Sequence, residues 1–145
     1  MPQPLPAWRL EGRTAVVVDD YPDAASAIAR GLEMLGVDAH VFHDGPSAAV
    51  ALQGFRPDIL ICDVMMPGFS GLDVLASLRR NEASRGLSPL RAIAFSAAPR
   101  LEAQALDAGF DAFLAKPVDL FDLADALQKF WSAEPARSSA KGWSE

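Results

Sequence analysis

Cysteine, histidine and positive charge are all scarce in this chain of 145 residues. The one cysteine, Cys62, excludes an internal disulfide and the usual clustered zinc sites, a pattern typical of a reducing cytosol. The net charge of −6 argues against a nucleic-acid-binding surface, because such a surface needs a basic patch. No run approaches the roughly 18 apolar residues of a membrane span, and there is no basic leader followed by an apolar stretch. We therefore expect a cytoplasmic protein without a nucleic-acid or membrane partner.

The rest of the composition is that of an ordinary globular domain with two irregular flanks. Half of the residues are hydrophobic and 22% are charged. Proline-rich residues 1–12 predict an extended N-terminal lead-in, and small, polar residues 133–145 predict a flexible C-terminal tail. The folded domain is therefore expected over residues 13–132.

Short apolar runs alternate with segments of helical spacing between these flanks. The predicted strands are residues 14–19, 37–42, 59–63, 90–96 and 112–115. The predicted helices are residues 23–35, 46–53, 71–82, 99–108 and 119–131. This alternation predicts an α/β fold whose parallel sheet is covered on both faces by crossover helices.

Ionisable and hydroxyl side chains lie at the ends of four predicted strands. Asp19 and Asp20 lie at the end of the first, Asp63 ends the third, Ser96 ends the fourth and Lys116 follows the fifth. Each has an ordinary interpretation alone, as a helix cap, a turn residue or a solvated charge. Because ligands of parallel sheets bind at the carboxyl ends of strands, we expect all five side chains to converge there.

Clustered carboxylates repel one another unless a cation lies among them. Mg²⁺ suits that position because it prefers a few carboxylates together with water and phosphate oxygens. One carboxylate can then attack phosphorus and form an aspartyl phosphate, while a hydroxyl and an ammonium meet the charge of the phosphoryl oxygens. The residues therefore predict phosphoryl transfer to an aspartate with Mg²⁺ as the cofactor.

Four motifs, in this order, resemble the receiver domain of response regulators in two-component signalling. They are VVVDDYPD at the first strand, LICDVMMPGFSGLDVL around Asp63, AFSA at Ser96 and FLAKP at Lys116. The resemblance covers about residues 13–131. It implies a flavodoxin-like, doubly wound (βα)5 fold with a parallel sheet of strand order 2-1-3-4-5.

The resemblance also implies how the acidic residues divide their work. Asp63 would be the phosphoacceptor. Asp19 and Asp20 would hold Mg²⁺ together with Asp63 and the backbone carbonyl of Met65.

The remaining motif residues would complete the site and report its state. Lys116 would contact a phosphoryl oxygen, and its peptide bond to Pro117 would be cis. Ser96 would turn its hydroxyl toward the phosphoryl group, and Phe113 would be the switch aromatic whose rotamer follows that movement.

The function implied by the resemblance is that of a phosphorylation-activated signalling switch. A histidine kinase or histidine phosphotransfer protein would donate the phosphoryl group, and the fourth helix, fifth strand and fifth helix would then bind an unidentified protein target with altered affinity. The chain would be a stand-alone regulator or a receiver from a larger protein such as a hybrid kinase. Asp119, Asp122 and Asp125 occupy the last helix, where regulators that pair in the DNA-binding manner usually carry basic residues, so that dimer is not expected.

Two other functions compete with the signalling switch. A metal-dependent phosphatase that forms an aspartyl phosphate usually has a second aspartate two residues after the nucleophile, but Met65 occupies that position. An interaction module that is never phosphorylated would not need the complete set of acids, hydroxyl and lysine. We therefore expect no enzyme activity beyond the chain's own phosphorylation and slow dephosphorylation.

Overall fold

The computed structural model describes residues 10–131, so the predictions for residues 1–9 and 132–145 lie outside the described part of the chain. The strands are β1 (Thr14–Val18), β2 (Asp38–Phe42), β3 (Ile59–Asp63), β4 (Arg91–Ser96) and β5 (Ala112–Ala115). The helices are α1 (Pro22–Met34), α2 (Gly45–Gly54), α3 (Gly71–Ser84), α4 (Glu102–Ala108) and α5 (Leu120–Trp131). Within residues 10–131, none of these helices combines the length and apolar character needed to cross a membrane.

The five strands form one parallel sheet in the order β2-β1-β3-β4-β5, which confirms the predicted fold class and strand order. The element boundaries differ from the predicted ones by a few residues at most. The largest local difference is at the fourth helix, where Pro99–Leu101 form a 3-10 turn before α4 begins. Such turns are common at the amino ends of α-helices.

Both faces of the sheet are buried, and alternate strand residues divide between them. One face, under α2, α3 and α4, includes Val16, Leu60 and Ala94. The other face, under α1 and α5, includes Val17 and Ile61. Burial on both sides explains why the runs of β1 and β3 are continuously apolar.

The strand register brings the ends of four strands to one level of the sheet. Val18 of β1 lies opposite Cys62 of β3, so Asp19 and Asp63 follow at the same height. Asp63 in turn lies opposite Phe95 of β4, one residue before Ser96. Ser96 pairs with Ala115 of β5, and Lys116 comes next. The sheet therefore positions the predicted site residues along one edge.

The opposite, amino-terminal edge of the sheet is held by buried or partly buried carboxylates that the sequence pattern did not predict. Asp58 accepts the Thr14 N–H at 2.8 Å, and Asp111 accepts the Ala92 N–H at 2.8 Å. Glu82 of α3 accepts the N–H of Leu90 at 2.9 Å. These bonds satisfy backbone donors where the strands begin.

Glu82 accepts hydrogen bonds from two arginines as well as from the Leu90 N–H. It is 3% exposed and forms ion pairs with Arg56 at 2.7 Å and Arg79 at 2.9 Å. Burial of Glu82 favours its neutral form, but the Leu90 N–H and the two guanidinium groups outweigh it and lower the pKa of Glu82. The carboxylate therefore links the α2–β3 connection, α3 and the start of β4.

Glu82→Gln should lower the free energy of unfolding by about 2 kcal/mol at neutral pH, because it removes one partner of a buried ionic network. The folded-state pKa of Glu82 lies below its ordinary value of 4.5, so its stabilisation is present above that value and is lost as the pH falls through the folded-state pKa. Urea unfolding across this range should show the difference between the two proteins shrinking toward acid pH. The exposed pair of Asp125 and Lys129 provides a control, since Asp125→Asn should change stability little. If the native chain and Glu82→Gln differed in free energy of unfolding by the same amount at every pH, this account of Glu82 would be contradicted.

Candidate functional site

Three aspartates form an acidic pocket at the carboxyl edge of the sheet. Each of Asp19, Asp20 and Asp63 offers a carboxylate oxygen, and these oxygens all lie within 4.8 Å of one another. Asp19 is 0% exposed and Asp63 is 3% exposed, whereas Asp20 is exposed to solvent. Hard carboxylate oxygens at this spacing fit a small divalent cation such as Mg²⁺. The pocket therefore has the donor chemistry that the sequence predicted for a magnesium site.

Asp63 has an unusual electrostatic environment for a carboxylate. Burial is the largest influence on its pKa and raises it to about 6, and the nearby charge of Asp19 acts in the same direction. The Met65 N–H, which donates to Oδ1 at 2.9 Å, and the Lys116 ammonium oppose that rise. Burial thus raises the free energy of the charged carboxylate, while specific donors keep it oriented.

Lys116 bridges the two buried acids. Its Nζ donates to Asp19 Oδ2 at 2.9 Å and to Asp63 Oδ2 at 3.1 Å, and it lies 5.0 Å from the centre of the Phe95 ring. Burial of the ammonium disfavours its charge, but the bonds to the two aspartates outweigh that effect and raise the pKa of Lys116. The peptide bond between Lys116 and Pro117 is cis. A lysine whose charged form is favoured by two aspartates therefore lies beside the carboxylate predicted to receive a phosphoryl group.

Ser96 and Phe113 lie next to the pocket, on β4 and β5. The Ser96 side chain is fully buried, and its Oγ accepts a hydrogen bond from the Ala98 N–H at 3.0 Å. This contact holds the hydroxyl against the β4–α4 connection. Phe113 is half-buried and packs against the apolar cluster that includes Ala105 and Leu75.

The loop between β3 and α3 carries two structural features that the sequence pattern did not predict. Met65, which is 49% exposed, supplies the backbone N–H that Asp63 accepts. Gly71, the first residue of α3, lies so close to β3 that an added Cβ would be 2.3 Å from the Asp63 carbonyl oxygen. Only glycine allows the helix to begin this close to the end of β3. The sequence indicated a helix start there, but not this contact.

Two further contacts orient Asp19. Its Oδ1 accepts the Tyr21 N–H at 2.9 Å, and His43 Nδ1 lies 3.3 Å from its backbone carbonyl oxygen.

The buried neighbour of Asp63, Cys62, has a pKa raised well above its ordinary value by burial and by the two nearby carboxylates. Cys62 thus remains a neutral thiol that packs as a small apolar residue.

The structure thus combines a doubly wound α/β sheet with an acidic pocket and a bridging lysine at its carboxyl edge. This is the arrangement that the resemblance to receiver domains implied. The sequence pattern described as the response regulator receiver domain matches residues 15–128. The chain therefore belongs to the receiver domain family of two-component signalling.

Individual relatives agree with this membership. The transcriptional regulatory protein TcrA of Mycobacterium tuberculosis is 34% identical over 120 residues, which cover 83% of this chain and 46% of TcrA. This chain spans about half the length of the curated relatives that it matches. Because TcrA is a transcriptional regulator by name, the expected absence of a nucleic-acid partner stays a prediction for any longer protein that contains this domain.

Solved receiver domains have the same fold. The receiver domain of the sensor histidine kinase PA1611 from Pseudomonas aeruginosa has a magnesium ion in its active-site cleft. It is 26% identical, covers 84% of this chain and 99% of its own, and gives a TM-score of 0.74. The receiver domain of Saccharomyces cerevisiae Ssk1, solved with the histidine phosphotransfer protein Ypd1, is 19% identical and covers 91% of this chain and 97% of its own, with a TM-score of 0.77.

Proposed function

We propose that this receiver domain is a phosphorylation-activated switch whose phosphoacceptor is Asp63. The observation that carries the proposal is the buried Asp63 carboxylate, bonded to Lys116 and grouped with Asp19 and Asp20. A nucleophilic carboxylate, a cation site and a fixed ammonium are the parts that phosphoryl transfer requires.

In the proposed reaction, an Asp63 carboxylate oxygen forms a bond to phosphorus as the bond from phosphorus to the donor breaks. For a phosphohistidine donor, the electron pair of the broken bond stays on the imidazole nitrogen. Asp19, Asp20, Asp63 and the Met65 carbonyl would hold Mg²⁺, which when bound offsets the negative charge of the carboxylates and phosphoryl oxygens. Lys116, already bonded to Asp63, would transfer one hydrogen bond to a phosphoryl oxygen.

Ser96 and Phe113 would convert this chemistry into a conformational signal. We propose that the Ser96 hydroxyl leaves the Ala98 N–H and donates to a phosphoryl oxygen, and that Phe113 follows into the space beside it. The change would alter the surface formed by α4, β5 and α5 and hence the affinity for a protein target. The only reactions that the domain would catalyse are its own phosphorylation and the slow loss of its phosphoryl group.

A histidine kinase or histidine phosphotransfer protein is the proposed donor. The solved pair of Ypd1 and Ssk1 supports a phosphotransfer protein as one form of that partner. We propose that residues 13–132 form the domain, either as a stand-alone regulator or within a larger protein, and that it acts in the cytoplasm. A phosphatase function is less well supported, because the methionine at position 65 offers no general acid.

Removal of divalent cations provides the first test of this function. The chain should become phosphorylated when incubated with acetyl phosphate and Mg²⁺, and phosphorylation should fall to background when EDTA replaces Mg²⁺. Gel mobility in the presence of a phosphate-binding reagent measures the phosphorylated fraction. Equal phosphorylation with EDTA would contradict a metal-dependent role for the acidic pocket.

Met65→Asn should shorten the lifetime of the aspartyl phosphate by roughly three- to ten-fold, because an amide at this exposed position can orient an attacking water whereas the methionine side chain cannot. Ala98, two residues after Ser96, also lacks a polar side chain that could orient this water. The decay of the phosphorylated chain after removal of acetyl phosphate measures the lifetime. Met34→Asn, at a methionine that is 74% exposed on α1, is the matched control and should leave the decay unchanged. An unchanged decay in Met65→Asn would refute the proposed effect.

A further inference from the structure

A groove of about 360 Å³ lies between the edge strand β5 and helix α5, away from the acidic pocket that would receive the phosphoryl group. Its apolar floor consists of Ala112 and Leu114 from β5 and Ala126 and Phe130 from α5, all half-buried. Because β5 ends the strand order, no strand within residues 10–131 covers its outer side. The floor is therefore apolar surface that remains accessible to another chain.

Charged residues surround this floor, with aspartates in the majority. Asp111, Asp122, Asp125 and Lys129 line the groove. Lys129 is paired with Asp125 at 3.2 Å, and Arg91 is paired with Asp111 at 3.6 Å while its guanidinium lies 5.2 Å from the Phe130 ring centre. The two cations are thus each held by an aspartate, and Asp122 adds a further negative charge to the rim.

We propose that this groove binds a cationic amphipathic segment of a partner protein. Lysine or arginine side chains of that segment would pair with Asp122 and compete with Lys129 for Asp125, while its apolar side chains would cover Ala112, Leu114 and Phe130. The charge at the rim favours such a partner by complementarity and increases its rate of encounter. The groove would be the part of the α4, β5 and α5 surface that contacts the protein target, and the cationic segment would belong to that target. Only the control of this binding by phosphorylation rests on the proposed switch function.

Charge disfavours two alternative occupants of the groove, a second copy of this chain and the chain's own residues 132–145. In a symmetric pair of copies the same surface meets itself, so two rims would meet in which the aspartates outnumber the cations and already pair with them. Residues 132–145 contain Glu134, Arg137, Lys141 and Glu145, with as many acids as bases, so they offer no net positive charge to the rim. A separate cationic chain is the occupant that the groove chemistry favours.

Titration of the native chain with a short peptide of alternating lysine and leucine, followed by backbone NMR, tests this proposal. The peptide should shift the resonances of Ala112, Leu114 and Phe130. A higher salt concentration should weaken the binding of the peptide. The paired change Asp122→Asn and Asp125→Asn should weaken binding about three- to ten-fold. The matched change Asp23→Asn and Glu33→Gln, which removes two exposed charges from α1, should weaken it by less than about two-fold.

Several results would overturn the proposal. A peptide of alternating glutamate and leucine that binds equally well would do so, as would equal weakening by the α1 control. Concentration-dependent association of the chain through these residues would instead identify a second copy as the occupant. Shifts at Ala112 and Leu114 on Arg137→Ala and Lys141→Ala, without peptide, would identify the chain's own residues 132–145.

Repeating the titration with beryllofluoride separates this proposal from the proposed function. Binding that depends on Asp122 and Asp125 but does not respond to beryllofluoride supports the groove and contradicts its regulation by the switch. A response to beryllofluoride at Ser96 without peptide binding at the groove supports the switch and contradicts the cationic partner.

Discussion

Asp63→Asn is expected to abolish phosphorylation of this chain by acetyl phosphate in the presence of Mg²⁺. Asparagine has nearly the shape of aspartate, but its amide is not a nucleophile toward phosphorus. It also replaces one of the three clustered carboxylates with a neutral amide, which would hold the cation less tightly. The phosphorylated fraction, measured by gel mobility, should fall to background.

This loss should not come from unfolding. Asp63 is 3% exposed and burial raises its pKa to about 6, so replacing the carboxylate removes a buried charge near neutral pH. Lys116 retains its bond to Asp19 in the variant. Circular dichroism and thermal unfolding should therefore show a folded variant no less stable than the native chain.

Asp23→Asn is the matched control for this experiment. Asp23 is exposed in the first turn of α1 and carries the same charge outside the acidic pocket. The control should be phosphorylated as fully as the native chain. If Asp63→Asn were phosphorylated as fully as the control, a residue other than Asp63 would be the acceptor.

Gly71→Ala is expected to lower the free energy of unfolding by about 3 kcal/mol, because the added methyl has no space. Its carbon would lie 2.3 Å from the Asp63 carbonyl oxygen and 2.9 Å from the Val64 Cα, and both of these are backbone atoms that no side-chain rotation can move. Helix α3 or the end of β3 would have to shift. Urea unfolding measures the loss, and reduced phosphorylation of the folded fraction would report the displacement of Asp63.

Gly54→Ala separates this effect from the general preference of helices for alanine. Gly54 is the last residue of α2, and a Cβ there would meet nothing within 4 Å. Its replacement should be neutral or stabilise the chain by up to about 1 kcal/mol. Equal effects at Gly54 and Gly71 would contradict the close approach of α3 to β3.

The fold could be predicted from sequence because its strongest signals are local. The continuous apolar runs of β1 and β3 reflect burial on both faces, and the spacing of apolar residues in α1 and α5 reflects one buried side. Asp19, Asp63 and Lys116 could be placed together because each lies at the carboxyl end of a parallel strand, and the register then fixes their common height.

Other parts of the structure depend on contacts that leave no such signal. Every residue except proline has a backbone N–H, so nothing in the sequence identifies Met65 and Tyr21 as the donors that orient Asp63 and Asp19. Glu82 looks like an ordinary surface acid of a helix until the fold places Arg56 and the Leu90 N–H beside it. The need for glycine at position 71 likewise arises only when α3 packs against β3.

Chemical trapping of the phosphorylated residue tests the central claim most directly. Native chain incubated with acetyl phosphate and Mg²⁺ would be treated with borohydride, which reduces an acyl phosphate to the alcohol, and its peptides analysed by mass spectrometry. The account predicts homoserine in place of aspartate at position 63 and unchanged Asp19 and Asp20. Trapping at either of those aspartates, or no trapped residue at all, would contradict the assignment of Asp63 as the phosphoacceptor.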